Sequence, residues 1–153
     1  ELELYIGAPQ TEEDFNAIMK PMLDASPNIH FIGFMDVKGG VFEDISKEAG
    51  YVILPSSSEG CATSVTTCMR RGLIPIVTVE TGVDVGDFGY MLKSIDMEYL
   101  LDTLRSISAA DRSEFLRRVR ATYEESAKYT QENFTKTFTS AVRKIINNHG
   151  IKI

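Results

Sequence analysis

The sequence predicts an α/β fold: a parallel sheet with helices on both faces and a helical C-terminal end. Three observations carry this. Short apolar runs alternate with helix-periodic stretches from Leu2 to Leu92. Two runs, Tyr51-Val52-Ile53-Leu54 and Leu73-Ile74-Pro75-Ile76-Val77, are almost continuously apolar, the pattern of strands covered on both faces. Beyond Ile95 only helical spacing remains. Strands alternating with helices pack as a parallel sheet joined by crossovers.

The elements follow in order. Leu2 to Ile6 alternates as a strand, and Gly7-Ala8-Pro9 breaks it. Thr11 predicts a helix N-cap, with Glu12, Glu13 and Asp14 in the first turn, where oxygens and negative charge suit the unpaired amides. Phe15, Ile18, Met19, Met22 and Leu23 continue at helical spacing. Pro21 within that run predicts a kink or an early end. Ile29 to Phe34 reads as a strand closed by Gly33, and Val41 to Ala49 as a helix with Gly50 as C-cap. Pro55 and three serines form a loop after the strand Tyr51 to Leu54. A helix then runs from Thr63 to Arg71, closed by Gly72. Leu73 to Val77 is the next strand, and Pro75 predicts its entry or an irregular edge. Glu80 to Gly89, with three glycines and two aspartates, reads as loop, and Gly89 to Leu92 as a last short strand. Three apolar stripes complete the chain: Leu100, Leu101, Leu104 and Ile107; Phe115, Leu116, Val119 and Tyr123; Phe134, Phe138, Val142, Ile145 and Ile146. The regions Ala109-Ala110-Asp111 and Tyr129-Thr130 separate them.

Bulk properties bound the function. The 153 residues suit one domain spanning 1–153, with no linker or repeat dividing it. A net charge of -6 argues against nucleic acid or an anionic membrane as a partner held by overall charge. No apolar run approaches a membrane span. On a shared helix, Cys61 and Cys68 would sit roughly 10 Å apart at about 1.5 Å rise per residue, too far for a disulfide. A reducing, cytoplasmic setting is the expectation. Two histidines without Cys/His spacing give no zinc signal.

In open α/β sheets, ligands bind beyond the carboxyl ends of the strands. Two loops take that place. Pro55-Ser56-Ser57-Ser58-Glu59-Gly60-Cys61-Ala62-Thr63-Ser64 is small, polar and leads into a helix, so its amides can converge on an anion. Thr78-Val79-Glu80-Thr81-Gly82-Val83 follows the next strand.

Here a resemblance enters. Pro55, Ser56, Ser58, Glu59 and Gly60, then Met69, Gly72, Pro75, Val77 and Thr78, stand in an order that resembles the large retaining glycosyltransferase family of GT-B fold, the group 1 or family 4 type. Gly82, the stretch His30 to Phe34, and Tyr129-Thr130 before Phe134 fit the same pattern. The resemblance implies a Rossmann-like domain, the donor-binding C-terminal half of a two-domain enzyme. It implies hexosyl-type transfer from a nucleoside-diphosphate sugar, with that sugar as donor substrate, no separate cofactor and no metal held by the protein. Polysaccharide biosynthesis is the associated role. Glu59 matches the first Glu of the family's paired-glutamate motif and would orient the donor as the catalytic carboxylate. Ser58, Gly60, Cys61, Ala62, Thr63 and Ser64 match the loop that meets the diphosphate and sugar. The second Glu falls at Thr67, whose hydroxyl is shorter and neutral, so the ribose contact is open there. The chain begins at what resembles the family domain's second strand. The first strand and helix, the cationic partners of the diphosphate, and an N-terminal acceptor domain are therefore expected upstream. The fragment alone is expected to be inactive, and membrane association would come through the absent half.

Plainer readings stand beside these. Glu59 taken alone could be a solvated loop carboxylate, though its context favours the ligand role. Glu80 follows a strand and could touch a ligand, but reads first as solvated. Ser56 to Ser58 are ordinary turn residues, and Cys61 is a small spacer with no histidine near it in sequence. His30 is structural and His149 solvated. Arg70 and Arg71 suit a helix C-terminus. Arg117, Arg118 and Arg120 read as a solvated helix face. Thr63, Ser64, Thr66 and Thr67 are poor helix formers in one short helix, so packing supports them or their hydroxyls face a ligand. Two other functions compete: a degenerate, non-catalytic glycosyltransferase-like binding domain, and a receiver-type signalling domain. The receiver reading needs acidic residues where Gly7-Ala8-Pro9 and Pro55-Ser56 stand.

Overall fold

A computed structural model describes residues 2–9, 13 and 15–149. The chain divides into two compact units, Glu1–Ala49 and Gly50–Ile153. Each carries its own parallel sheet, and the class is Rossmann-like α/β.

In the first unit, β1 (Leu4–Ile6) pairs with β2 (Ile29–Phe31), Tyr5 opposite His30. The two rings stack with centroids 4.9 Å apart, and His30 Nε2 meets Glu3 Oε2 at 2.6 Å. His30 is thus a cross-strand pairing residue. Both strands are shorter than predicted. β2 stops before Gly33, which takes φ 79°, and Phe34 beyond it is 82% exposed. The predicted cap Thr11, with Glu12 and Asp14, lies outside the described residues. Pro21 has the effect expected of a missing N–H. A widened π-helical segment (Phe15–Met19) precedes it, and regular α1 (Lys20–Asp24) begins with Pro21 in its first turn, where no amide partner is needed. Ile18, Met19 and Met22 of the predicted stripe are exposed. α2 (Gly40–Glu48) buries Phe42 and Ser46.

The predicted C-cap at Gly50 is corrected. Ala49 caps α2 in an extended conformation, and Gly50 lacks the positive φ of a glycine cap. Its glycine answers a close approach instead: a Cβ there would sit 2.9 Å from the Phe115 ring.

The second unit is built on β3 (Tyr51–Leu54), β4 (Ile74–Thr78) and β5 (Tyr90–Leu92), all parallel, with β4 central. Every residue of β4 is buried. Alternate side chains face opposite sides, so both faces of β4 are covered. The outer strand β3 is less so, with Ile53 38% exposed. Pro75 is the second residue of the central strand, at its entry as one of the two readings had it and not at an irregular edge. Ile74 donates to the Gly50 carbonyl, so the polar groups of Pro75 face the β5 side, where pairing starts only at Ile76. No ladder bond is lost, which is why the proline is tolerated.

α3 (Thr63–Met69) connects β3 to β4. Gly72 closes it as predicted: at φ 84°, with Gly72 N–H on Met69 O and Leu73 N–H on Cys68 O, it forms a Schellman end. Ala62, Val65, Met69, Val77, Val83, Val85 and Phe88 form the main core. Ile76, Leu92 and Ile107 form a second cluster.

Three helices follow: α4 (Met97–Ser108), α5 (Arg112–Ser126) and α6 (Gln131–Asn148), capped by Asp96, Asp111 and Thr130. Asp111 and Thr130 fall in the separators read from the sequence, while Asp96 follows Ile95, where the helical stretch was read to begin. The stripes are less faithful. On α5, Thr122 and Ser126 are buried while Leu116 and Tyr123 are about half exposed. On α6 no residue is buried; Phe134, Phe138 and Ile145 are exposed and the two phenyl rings stack on each other. Among the described residues, no helix is long and apolar enough to cross a membrane.

Candidate functional site

β3 and β4 are parallel neighbours with Leu54 opposite Val77, so the loops after them leave the same end of the sheet. The first runs from Pro55 to Ala62. Within it Ser58 N–H donates to Ser56 Oγ at 3.3 Å, a local turn bond. The second begins with a single 3-10 turn (Val79–Thr81) and continues to Gly89.

The structure docks these loops on each other. Thr78 Oγ1 donates to the Ser56 carbonyl. Ala62 N–H donates to the Thr81 carbonyl at 2.9 Å. Gly82 turns at φ 66°, and a Cβ there would lie 2.8 Å from Gly60 O and 3.6 Å from Cys61 Cα. Only glycine allows both that dihedral and that approach. The predicted site residues Gly60, Cys61, Ala62 and Gly82 therefore meet, although Gly82 lies on a different loop.

Their exposure sorts them. Ala62 is buried at 3% and packs in the core. Ser58, Glu59, Gly60, Cys61, Thr63 and Ser64 are exposed. Gly60 has no positive φ, and a Cβ on it would meet nothing within 4 Å. The Glu59 carboxylate has no hydrogen-bond partner among the described residues, so only the loop backbone places it. Cys61 precedes α3, while Cys68 lies on it; both thiols are free. Burial pushes the Cys68 thiol up to about 11. Thr67 is half-buried, and its Oγ1 donates to the Thr63 carbonyl at 2.8 Å; Thr66 Oγ1 reaches the same oxygen at 3.1 Å. These hydroxyl protons serve the helix, as is common for Thr.

The backbone supplies the donors. Val65 and Thr66 N–H both reach Ala62 O, and Ala62 N–H is taken by Thr81. The amides of Gly60, Cys61, Thr63 and Ser64 have no acceptor among the described residues. Neither loop carries a lysine or arginine, whereas Glu59, Glu80, Asp84 and Asp87 lie on them. An anion here would be met by amide dipoles rather than side-chain cations. Among the described residues, no three His, Cys, Asp or Glu side chains gather as a metal site.

Three features gain a place here that the sequence reading assigned to none of them. Thr81 is fully buried, with Oγ1 donating to Thr78 O at 2.8 Å and accepting from Val83 N–H. Its hydroxyl looks like any loop threonine until the turn is seen. Tyr129 is the second: its phenol pKa is raised, chiefly by burial and then by the neighbouring Cys61 thiol, while the Asp84 amide lowers it. The third is an arginine pair. Arg118 Nη1 donates to the carbonyls of Asp87 (2.9 Å) and Gly89 (3.2 Å), and its guanidinium lies 4.5 Å over the Tyr90 ring. Arg117 donates to the Asp87 carbonyl at 3.2 Å. Glu114 accepts from both arginines at 2.7 Å. The face read as merely solvated thus pins the far end of the second loop to α5.

No protein-family model matches the chain, and no curated protein matches it. A solved structure does: the catalytic domain of starch synthase IV from Arabidopsis thaliana, bound to ADP and acarbose, at a TM-score of 0.61 and 17% identity. The match covers 90% of this chain and 32% of that one, so the chain spans about a third of its length. The fold is GT-B-like.

Proposed function

We propose that this chain supplies the nucleotide-sugar-binding part of a retaining glycosyltransferase, with the acceptor held by further protein. The observation that carries this reading is the docked pair of loops. It leaves the amides of Gly60, Cys61, Thr63 and Ser64 unpaired beside Glu59 at the carboxyl end of the sheet. That end is where open α/β sheets take ligands. The similar starch synthase domain holds ADP, which agrees in ligand class.

The chemistry assigned to each part is simple. The bond between the sugar's anomeric carbon and the diphosphate oxygen breaks, and an acceptor hydroxyl oxygen bonds to that carbon on the same face. The hydroxyl proton passes to the leaving diphosphate, and negative charge grows on that diphosphate as it departs. Amides fixed by the loop stabilise that charge without reorganising. The Glu59 carboxylate accepts hydrogen bonds from sugar hydroxyls and orients the donor. Ser58 flanks it, and Gly82 holds the loop at the required distance. The donor is a hexosyl nucleotide, no cofactor or protein-bound metal takes part, and the setting is cytoplasmic polysaccharide synthesis.

Thr67 favours a second reading, a non-catalytic binding module. It offers no carboxylate to a ribose diol, and its hydroxyl proton is engaged by the Thr63 carbonyl. One experiment decides between them. The full-length protein is assayed with uridine- and adenosine-diphosphate glucose, by turnover and by calorimetry. Turnover that falls by about 100-fold or more in Glu59→Ala, the scale of losing a transition-state contact, supports the enzyme. Binding without turnover supports the module. Unchanged turnover in Glu59→Ala removes the role assigned to that carboxylate.

A further inference from the structure

We infer that Thr81 is a positioning residue for the two-loop site: a side chain no ligand reaches sets the geometry of the amides a donor would meet. The inference rests on the donor-site reading and deepens it.

Thr81 has no exposed surface. Its hydroxyl closes the turn after β4, donating to Thr78 O at 2.8 Å and accepting from Val83 N–H at 3.4 Å. Its carbonyl, aimed by that turn, accepts the Ala62 N–H at 2.9 Å. Ala62 stands in the chain between the unpaired amides of Gly60 and Cys61 and those of Thr63 and Ser64. One bond from the second loop therefore fixes the middle of the donor array. Thr78 makes the parallel link, its hydroxyl on Ser56 O at the start of the first loop. The next residue, Gly82, brings its backbone against Gly60 O. The two loops are thus joined at Ser56, Gly60 and Ala62, and the Thr81 hydroxyl holds the turn that makes two of those joints.

Valine keeps the shape of threonine and removes the hydroxyl. It leaves the Thr78 carbonyl and the Val83 amide without this partner inside the protein, where an unmade bond is costly. The turn then loosens, and the Thr81 carbonyl loses its fixed direction toward Ala62. Serine restores the hydroxyl and removes only a methyl group.

The test uses the full-length protein and its Thr81→Val and Thr81→Ser variants. Three readouts are taken: hydrogen exchange at the Ala62 amide, thiol labelling of exposed Cys61 with buried Cys68 as internal reference, and kinetics with uridine- and adenosine-diphosphate glucose. In Thr81→Val, Ala62 exchange and donor KM are each expected to rise about tenfold, the scale of one buried hydrogen bond. The Cys61 labelling rate should change, and kcat should fall as well, because the same amides meet the charge that grows on the leaving diphosphate. Thr81→Ser should return all three toward wild type. Thr81→Ala carries the same expectations if Thr81→Val does not fold. Wild-type exchange and labelling in the variant overturn the inference. So does a loss of protection spread uniformly through β4 rather than centred on Ala62, which is the signature of plain destabilisation. If the unmodified protein neither binds nor turns over either sugar nucleotide, the donor-site reading falls and takes this inference with it. A working wild type with an unaltered Thr81→Val overturns this inference alone.

Discussion

Two glycines of the site, Gly60 and Gly82, differ in what requires them. Gly82 is required by the protein itself, through its φ of 66° and the Gly60 carbonyl 2.8 Å from where a Cβ would lie. Nothing inside the protein requires Gly60, because a methyl there meets only open space. The pair therefore separates structure from binding. Gly82→Ala is expected to lower stability by about 1–3 kcal/mol, the usual cost of forcing a residue into such a conformation. Gly60→Ala should stay within about 0.5 kcal/mol of wild type, as exposed substitutions do, yet, on the proposed function, weaken nucleotide-sugar binding by placing a methyl where the donor's diphosphate would approach. Denaturant midpoints and calorimetry on both variants check this. A Gly60→Ala protein with full affinity would show that the ligand does not approach there. That Gly82 is a special glycine was legible in the sequence, because a glycine in the loop after a strand is a visible signal of unusual backbone. Thr81 was not, because a threonine in a polar loop has nothing to mark it until the turn places its hydroxyl.

At the level of elements, arginine chemistry was the least legible feature. Arg117, Arg118 and Arg120 on an amphipathic helix give the same pattern whether they face solvent or a loop. The structure sends Arg117 and Arg118 to the Asp87 and Gly89 carbonyls and locks both to Glu114. The Arg117 guanidinium, then that of Arg118, holds the Glu114 carboxyl down at about 2, against an ordinary 4.5. An unfolded chain takes up its proton near the ordinary value. The native state is therefore favoured in full above about pH 4.5 and loses this contribution as pH falls toward about 2. The three side chains are partly solvated, so salt should shrink the effect. Melting curves stepped through that window, for wild type and Glu114→Gln, are expected to converge at the acid end and separate above it. Parallel curves would mean that the triad does not couple to folding. Helix boundaries were far more legible than helix faces. Asp111 and Thr130 cap inside the two regions read as separators, since capping is local chemistry. The inner face of α5 depends on what packs against it, and there Thr122 and Ser126 displaced Leu116 and Tyr123.

For the whole molecule, alternation of strands and helices sufficed for the fold class, because a parallel sheet is the simplest way to bury such runs. The strand Tyr51–Leu54 was placed to the residue. Burial depth was not legible, since equally apolar runs end up covered on both faces in β4 and partly open in β3. Nor did composition separate the two units. Among the described residues up to Ala49, only Phe42 and Ser46 are buried, whereas both core clusters lie beyond Gly50. Local stability follows buried apolar contact, so hydrogen exchange should be graded along this chain. The amides of Ile76 to Thr78, in a strand buried throughout, should be the last to exchange. Those of Leu4 to Ile6 and Ile29 to Phe31, on strands of exposed or half-buried residues, should exchange faster by about two orders of magnitude or more, the span between local opening and global unfolding. Exchange read by mass spectrometry on the chain of residues 1–153 checks this. Equal protection in both units would mean that Glu1–Ala49 opens only when the β3-β4-β5 sheet does, and that the thin core of the first unit is no guide to its stability.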